Sequence, residues 1–97
     1  MLSGKQKRYL RGEAHSLKAI FQVGKAGVNV NLIKQVGEAL EARELIKVSI
    51  LQNCAEDKHD VARELSEGAD AETVQVIGNT IILYKESEEN KTIELPR

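Results

Sequence analysis

Cys54 and His59 are close in sequence, and a cysteine beside a histidine can serve as nucleophile and base. Cys54 also precedes an expected helix, where the dipole favours a thiolate. No third residue nearby is placed to orient the histidine, and a lone cysteine at a strand end is ordinarily inert. The two histidines, His15 and His59, are far apart and lack a clustered carboxylate partner, so no metal-ligand spacing arises. Catalysis and metal binding therefore find little support. The remaining chemistry is anion contact.

The stretch "VGKAG" at residues 23–27 follows the apolar run Ala19-Ile20-Phe21-Gln22-Val23 and precedes an expected helix. It lacks the G-x-x-x-x-G-K-[ST] spacing of a Walker loop and the G-x-G-x-x-G of a dinucleotide turn. Its simplest reading is a tight turn using the freedom of glycine. The setting adds a second use. Glycines let backbone approach a sugar-phosphate chain, and the helix that follows offers free N–H groups and a positive dipole end. Gly24, Lys25, Ala26 and Gly27 thus form a candidate phosphate-facing loop. A G-x-x-G clamp on nucleotide backbone is also the device of KH-type RNA binders.

Charge is distributed unevenly. Residues 1–34 hold seven Lys/Arg and one acid, a net +6, whereas residues 35–97 hold seven Lys/Arg and fourteen acids, a net −7. Such asymmetry suggests a surface that faces a polyanion. With 41% hydrophobic and 30% charged residues, the 97-residue chain reads as one soluble domain, 1–97, with a polar C-terminal tail over 86–97. One cysteine excludes an intrachain disulfide and suits a reducing cytoplasm. No signal-peptide core and no run of membrane-spanning length is present.

The elements that must position these groups follow from periodicity. Ser3 can cap a helix reaching about Leu17, with Leu10, Ala14 and Leu17 as its inward stripe. At ~100° per residue, Arg8, Arg11, His15 and Lys18 share a sector beside that stripe, with Lys7 between the two. Residues 19–23 read as a buried strand. Asn29 can cap a helix to about Ala42 with Ile33, Val36, Gly37 and Leu40 inward. A second strand covers 45–51. A third helix spans about Ala55–Glu67, with Glu56, Asp57 and Asp60 at its positive end and Gly68 as C-terminal cap. Strands 73–77 and 80–84 flank Gly78-Asn79, a two-residue hairpin turn. The tail from Lys85 is either mobile or docked through its last apolar residues. The order α-β-α-β-α-β-β predicts an α/β domain with one four-stranded mixed sheet.

The blocks "LSGKQKRYLRGEAHSLKAIFQVGKAG" (2–27), "ALEARELIKVSI" (39–50), "VQVIGNTIILYK" (74–85) and "LPR" (95–97) resemble the CRM domain (chloroplast RNA splicing and ribosome maturation) in its bacterial stand-alone, YhbY-like form. The resemblance implies three helices on a four-stranded mixed sheet, similar to the C-terminal domain of translation initiation factor three. It also implies RNA binding without catalysis or cofactor, and a role on precursors of the large ribosomal subunit. Carried onto this chain, the RNA-facing parts are Gly24-Lys25-Ala26-Gly27 and the helix bearing Lys7, Arg8, Arg11 and His15. Ala26 stands where the family often has a polar residue, and Lys85 where arginine is common.

The expectation is a cytoplasmic protein that binds ribosomal RNA of the 50S precursor. Lys7, Arg8, Arg11, His15, Lys18 and Lys25 would neutralise phosphates, Gly24 and Gly27 would admit the backbone, and Lys34 would extend the patch. With Tyr9 and Phe21 assigned to the core, contact should lean on charge and RNA shape. The alternative is an adaptor whose acidic second half docks a basic ribosomal protein or assembly factor. No small-molecule substrate and no membrane enter either reading.

Overall fold

Seven elements form where the sequence carries both periodicity and caps. The computed structural model describes every residue from Met1 to Arg97. Helix α1 spans Gly4–Ala14, β1 Ala19–Val23, α2 Val30–Arg43, β2 Leu45–Ile50, α3 Lys58–Gly68, β3 Glu72–Ile77 and β4 Thr80–Tyr84. Ser3 starts α1 through a capping box: its side chain accepts from the Gln6 N–H, and the Gln6 side chain accepts from the Ser3 N–H. Asn29 accepts from the Leu32 N–H at 2.8 Å to start α2.

The sheet has the order β1-β2-β4-β3. Strands β1 and β2 are parallel; β2–β4 and β3–β4 are antiparallel. Because side chains alternate along a strand, the sheet has two distinct faces. On one, α2 and α3 cover a core that includes Val36, Leu40, Ile46, Val48, Val61 and Leu83. On the other, Leu10 and Ala14 of α1 pack against Leu45, Val74, Ile82 and Tyr84. Full burial of each large aliphatic side chain contributes about 1.5–3 kcal/mol.

Five local expectations are corrected. Tyr9, assigned to the core, is 39% exposed on α1, because only Leu10 and Ala14 of that helix face the sheet. Helix α1 ends at Ala14, so Leu17 is 37% exposed and not inward. The chain leaves the helix there through a turn, with the Leu17 N–H donating to the Ala14 carbonyl at 3.0 Å, and β1 begins at Ala19. Strand β1 is an edge strand: only Val23 is buried, and Ile20 and Gln22 lie on an open face. Helix α3 starts at Lys58 with Asp57 as its cap, leaving Glu56 outside it. Gly68 is the last helical residue, and the left-handed turn falls at Asp70. Gly68 is needed for packing, since a Cβ there would sit 2.7 Å from Ile33 Cδ1 of α2.

The tail is docked. Ile93 and Leu95 pack with Leu2 against the α1-side core. Two glutamates hold the segment between. Glu44, the single residue joining α2 to β2, is fully buried with φ 66°. Its carboxylate accepts the N–H groups of Ser87 (2.8 Å), Thr92 (2.7 Å) and Ile93 (2.8 Å). Its own carbonyl accepts from the Lys85 N–H. Glu41, one turn earlier, accepts from the Ser87 hydroxyl and from the N–H groups of Glu88 and Glu89. Burial of Glu44 works to raise its pKa, but hydrogen bonds from Ser87, Thr92 and Ile93 outweigh it, and the carboxyl sits below the usual range. Glu41 is lowered too, first by the Glu88 N–H and then by the Ser87 hydroxyl.

Groups with depressed folded pKa values stabilise the protein above their unfolded pKa. That contribution disappears as pH falls through the folded values, because the unfolded chain then binds more protons. Urea midpoints should therefore fall on acidification below about pH 4, with a shallower fall for Glu44→Gln. At neutral pH, Glu44→Ala strands buried N–H groups and should cost about 3 kcal/mol. It should also raise hydrogen exchange at Ser87, Thr92 and Ile93 before the sheet amides respond.

Candidate nucleic-acid interface

The cations of the first 34 residues lie on α1, in the turn after it, in the Gly24–Gly27 loop and on α2. Arg8 and Arg11 are exposed on α1, Lys7 is half-buried, and His15 is the exposed C-terminal cap residue. Lys18 is exposed but lies beyond the helix, in the turn leading to β1. Lys25 is exposed at the loop, and Lys34 is exposed on α2. None of these side chains forms an ion pair. The two salt bridges are elsewhere, Arg63–Asp60 at 3.4 Å and Lys91–Glu86 at 2.8 Å. The α1 cations thus remain uncompensated at short range.

The Gly24–Gly27 segment is a real turn. The Gly27 N–H donates to the Gly24 carbonyl at 3.0 Å, and Gly27 has φ 68°, the left-handed region glycine enters without strain. Gly24 sits close to the second half of the chain: a Cβ there would lie 3.1 Å from Asn53 Oδ1 and 3.3 Å from Leu51 Cδ1, so those side chains would have to shift slightly. Lys25 and Ala26 are left at the exposed crest.

One acidic residue modifies this loop. The Glu56 carboxylate lies against the Cα of Gly27, where a Cβ would overlap it, and accepts from the Val28 N–H at 3.3 Å. One of the N–H groups expected to face an anion is therefore already engaged by an internal one. Glu64, on α3, has Oε2 buried without a hydrogen-bond partner. Its pKa is raised, first by a hydrogen bond with Glu56, then by burial and by Glu56 repulsion. Arg63 works to lower it and Asp60 to raise it. The Glu64 carboxyl thus stands beside Glu56, on the side of the loop occupied by α3. Sequence position alone put Glu56 in the first turn of α3, and only the folded chain brings it to Gly27.

The other candidates stay separate. Cys54 Sγ lies 3.9 Å from the Glu56 carbonyl, while the His59 N–H donates to Asp57. No hydrogen bond joins Cys54 to His59. No group of three or more His, Cys, Asp or Glu converges as a metal site. No helix is long and apolar enough to cross a membrane.

Sequence reasoning missed the residues on the open α1 side of the sheet. Lys47 reaches the loop after α1, its Nζ donating to the Leu17 carbonyl at 3.0 Å. Gln75, Ile77 and Thr80 line a groove beside Arg11 and His15. The available signal was the alternation in β2 and β3, which sets Lys47, Ser49 and Gln75 opposite the larger core.

Comparison with known proteins places this geometry. The chain is 71% identical over 96 residues to "Probable RNA-binding protein YqeI" of Bacillus subtilis, covering 99% of this chain and 100% of that protein. It is 38% identical to "RNA-binding protein" of Haemophilus influenzae, covering 99% and 96% respectively. The solution structure of the hypothetical protein SAV1595 from Staphylococcus aureus superposes with a TM-score of 0.82 at 59% identity, covering 99% of this chain and 100% of the other. The CRS1 / YhbY (CRM) domain model matches residues 2–85, and the chain belongs to that family.

Proposed function

We propose that the protein binds RNA, specifically ribosomal RNA in large-subunit precursors, and assists 50S assembly in the cytoplasm without catalysing a reaction. The observation that carries the reading is the set of basic side chains without ion-pair partners on α1 and just after it, Lys7, Arg8, Arg11, His15 and Lys18, followed along the chain by the Gly24–Gly27 turn. Cations without internal partners are free to replace the counterions of a phosphate chain. The names of the Bacillus and Haemophilus relatives support the same class of ligand.

In this reading, Arg8, Arg11, His15 and Lys18 contact successive phosphates. Lys25 and the glycine backbone meet a further phosphate at the loop, Ala26 adds no polar contact there, and Lys34 extends the patch. The adaptor alternative is weaker because several of the acids in residues 35–97 are engaged within the fold. Glu41 and Glu44 hold the tail, Glu56 the loop, Asp57 caps α3, and Asp60 and Glu86 are ion-paired.

Binding to a ribosomal RNA fragment should weaken steeply with salt. About five phosphate contacts correspond to a log–log slope of roughly −3.5 at ~0.7 per phosphate. A flat profile would remove the electrostatic reading. The double variant Gly24→Ala/Gly27→Ala should bind about tenfold more weakly. Its helical circular dichroism should be retained, and full affinity in a folded variant would exclude the loop. Glu56→Gln keeps an oxygen for the Val28 N–H but removes a negative charge behind the loop. Its affinity should rise about three- to tenfold at low salt.

A further inference from the structure

The sheet face that α1 covers is only partly covered. Leu10 and Ala14 close one half, against Leu45, Val74, Ile82 and Tyr84. The other half is open, and its composition follows from register. Gln22 of β1 pairs with Ser49 of β2, Ser49 with Thr80 of β4, and Thr80 with Ile77 of β3. One rung closer to α1, Lys47 pairs with Ile82 and Ile82 with Gln75. Their strand neighbours Phe21, Val48, Val76 and Ile81 belong to the opposite core, so these side chains point to the α1 side. Ile77 is 57% exposed there.

Position and composition make this half-face unusual. Arg11 and His15 form one wall of its groove of about 220 Å³, and none of the residues lining that groove is acidic. The chain as a whole has 15 Asp and Glu. The outermost rung includes Gln22, which is followed after Val23 by the Gly24–Gly27 loop. The floor thus lies between the α1 cations and the loop. It offers amides, hydroxyls and one exposed aliphatic side chain, all uncharged apart from Lys47. Amide and hydroxyl side chains hydrogen-bond the edges of bases, and in RNA those edges are reachable chiefly where the strand is unpaired.

We infer that this open half of the sheet is a bed for the bases of single-stranded RNA, whose phosphates are held by α1 on one side and by the loop on the other. The inference rests on the RNA-binding reading and adds the strand state of the ligand and the residues that touch bases. Gln75 and Thr80 supply hydrogen bonds to base edges, and Ile77 supplies apolar contact to a base face. Positive charge at Arg11 and Lys47 suits the surrounding phosphates, and His15 adds a ring N–H beside them. An acidic protein partner would use the same cations but would gain nothing from the neutral floor.

The probe is a single-stranded RNA of about 12 nucleotides, within the usual range for one small binding surface, compared with a duplex of the same sequence. Gln75→Ala/Ile77→Ala should bind the single strand about fivefold more weakly. Its salt slope should match wild type, since neutral side chains release no counterions. Its duplex affinity should be unchanged. Thr80→Val, which keeps the side-chain shape, should give a smaller loss in the same direction. On titration of wild type with the single strand, the amide resonances of Ser49 and of Gln75–Thr80 should shift. Unchanged single-strand affinity in the double variant, or an equal loss on duplex, overturns the base-bed inference while leaving salt-dependent RNA binding in place. Absence of any RNA binding by wild type at low salt overturns both.

Discussion

A buried carboxylate without a cation is costly, and in this protein that constraint organises the chain. Glu44 is fully buried at the α2–β2 junction, and its charge is balanced by backbone N–H dipoles of the tail. Removing a charge from water without such partners costs several kcal/mol. The tail therefore has to close over it. Closure brings Ile93 and Leu95 onto the α1-side core, where Leu2 joins them. The Gln6 side chain donates to the Pro96 carbonyl at 3.1 Å, which ties the tail to α1 itself. One carboxylate thereby couples a helix–strand junction, the exit from β4 and the seat of the helix that carries the basic residues.

The two halves of the sequence divide the electrostatics between them. Several acids in the second half are engaged internally, by the tail, by the loop, as a helix cap and in local ion pairs, while others such as Glu38, Glu67 and Glu94 stay exposed. Cations in the first half are left without ion-pair partners. A near-zero net charge of −1 therefore conceals cations without ion-pair partners in residues 1–34 and acids in residues 35–97, several of which hold the fold. Glu56 is an acid of the second half placed against Gly27 in the basic first half. Its carboxylate accepts from the Val28 N–H and steadies the loop.

Much of the fold was legible in short-range patterns. Apolar spacing located all the helices and strands, and Ser3 and Asn29 marked the starts of α1 and α2. Errors fell where local and long-range demands diverge. Leu17 fits the α1 stripe by spacing, but the chain leaves the helix through a turn before β1. Gly68 looks like a C-terminal cap, yet its lack of a side chain is required by Ile33 from another helix. The run at 19–23 is apolar enough to be buried, but a strand's neighbours are not written in its own residues. At the candidate site, the cations and the glycine turn could be read directly. Glu56 and the open floor could not, because each depends on contacts between elements far apart in the chain.

The sequence by itself determined the seven elements, the charge asymmetry and the G-x-x-G turn, because each depends on residues within a turn or two of one another. Tertiary structure alone decided which strand lies at the edge, which half of a sheet face stays uncovered, which acid backs the loop and whether the tail is held. Those outcomes depend on pairing order and on which buried polar groups find partners. Residues such as Glu44 and Thr92 show it most directly: neither has a visible purpose until folding sets the Thr92 N–H 2.7 Å from the Glu44 carboxylate.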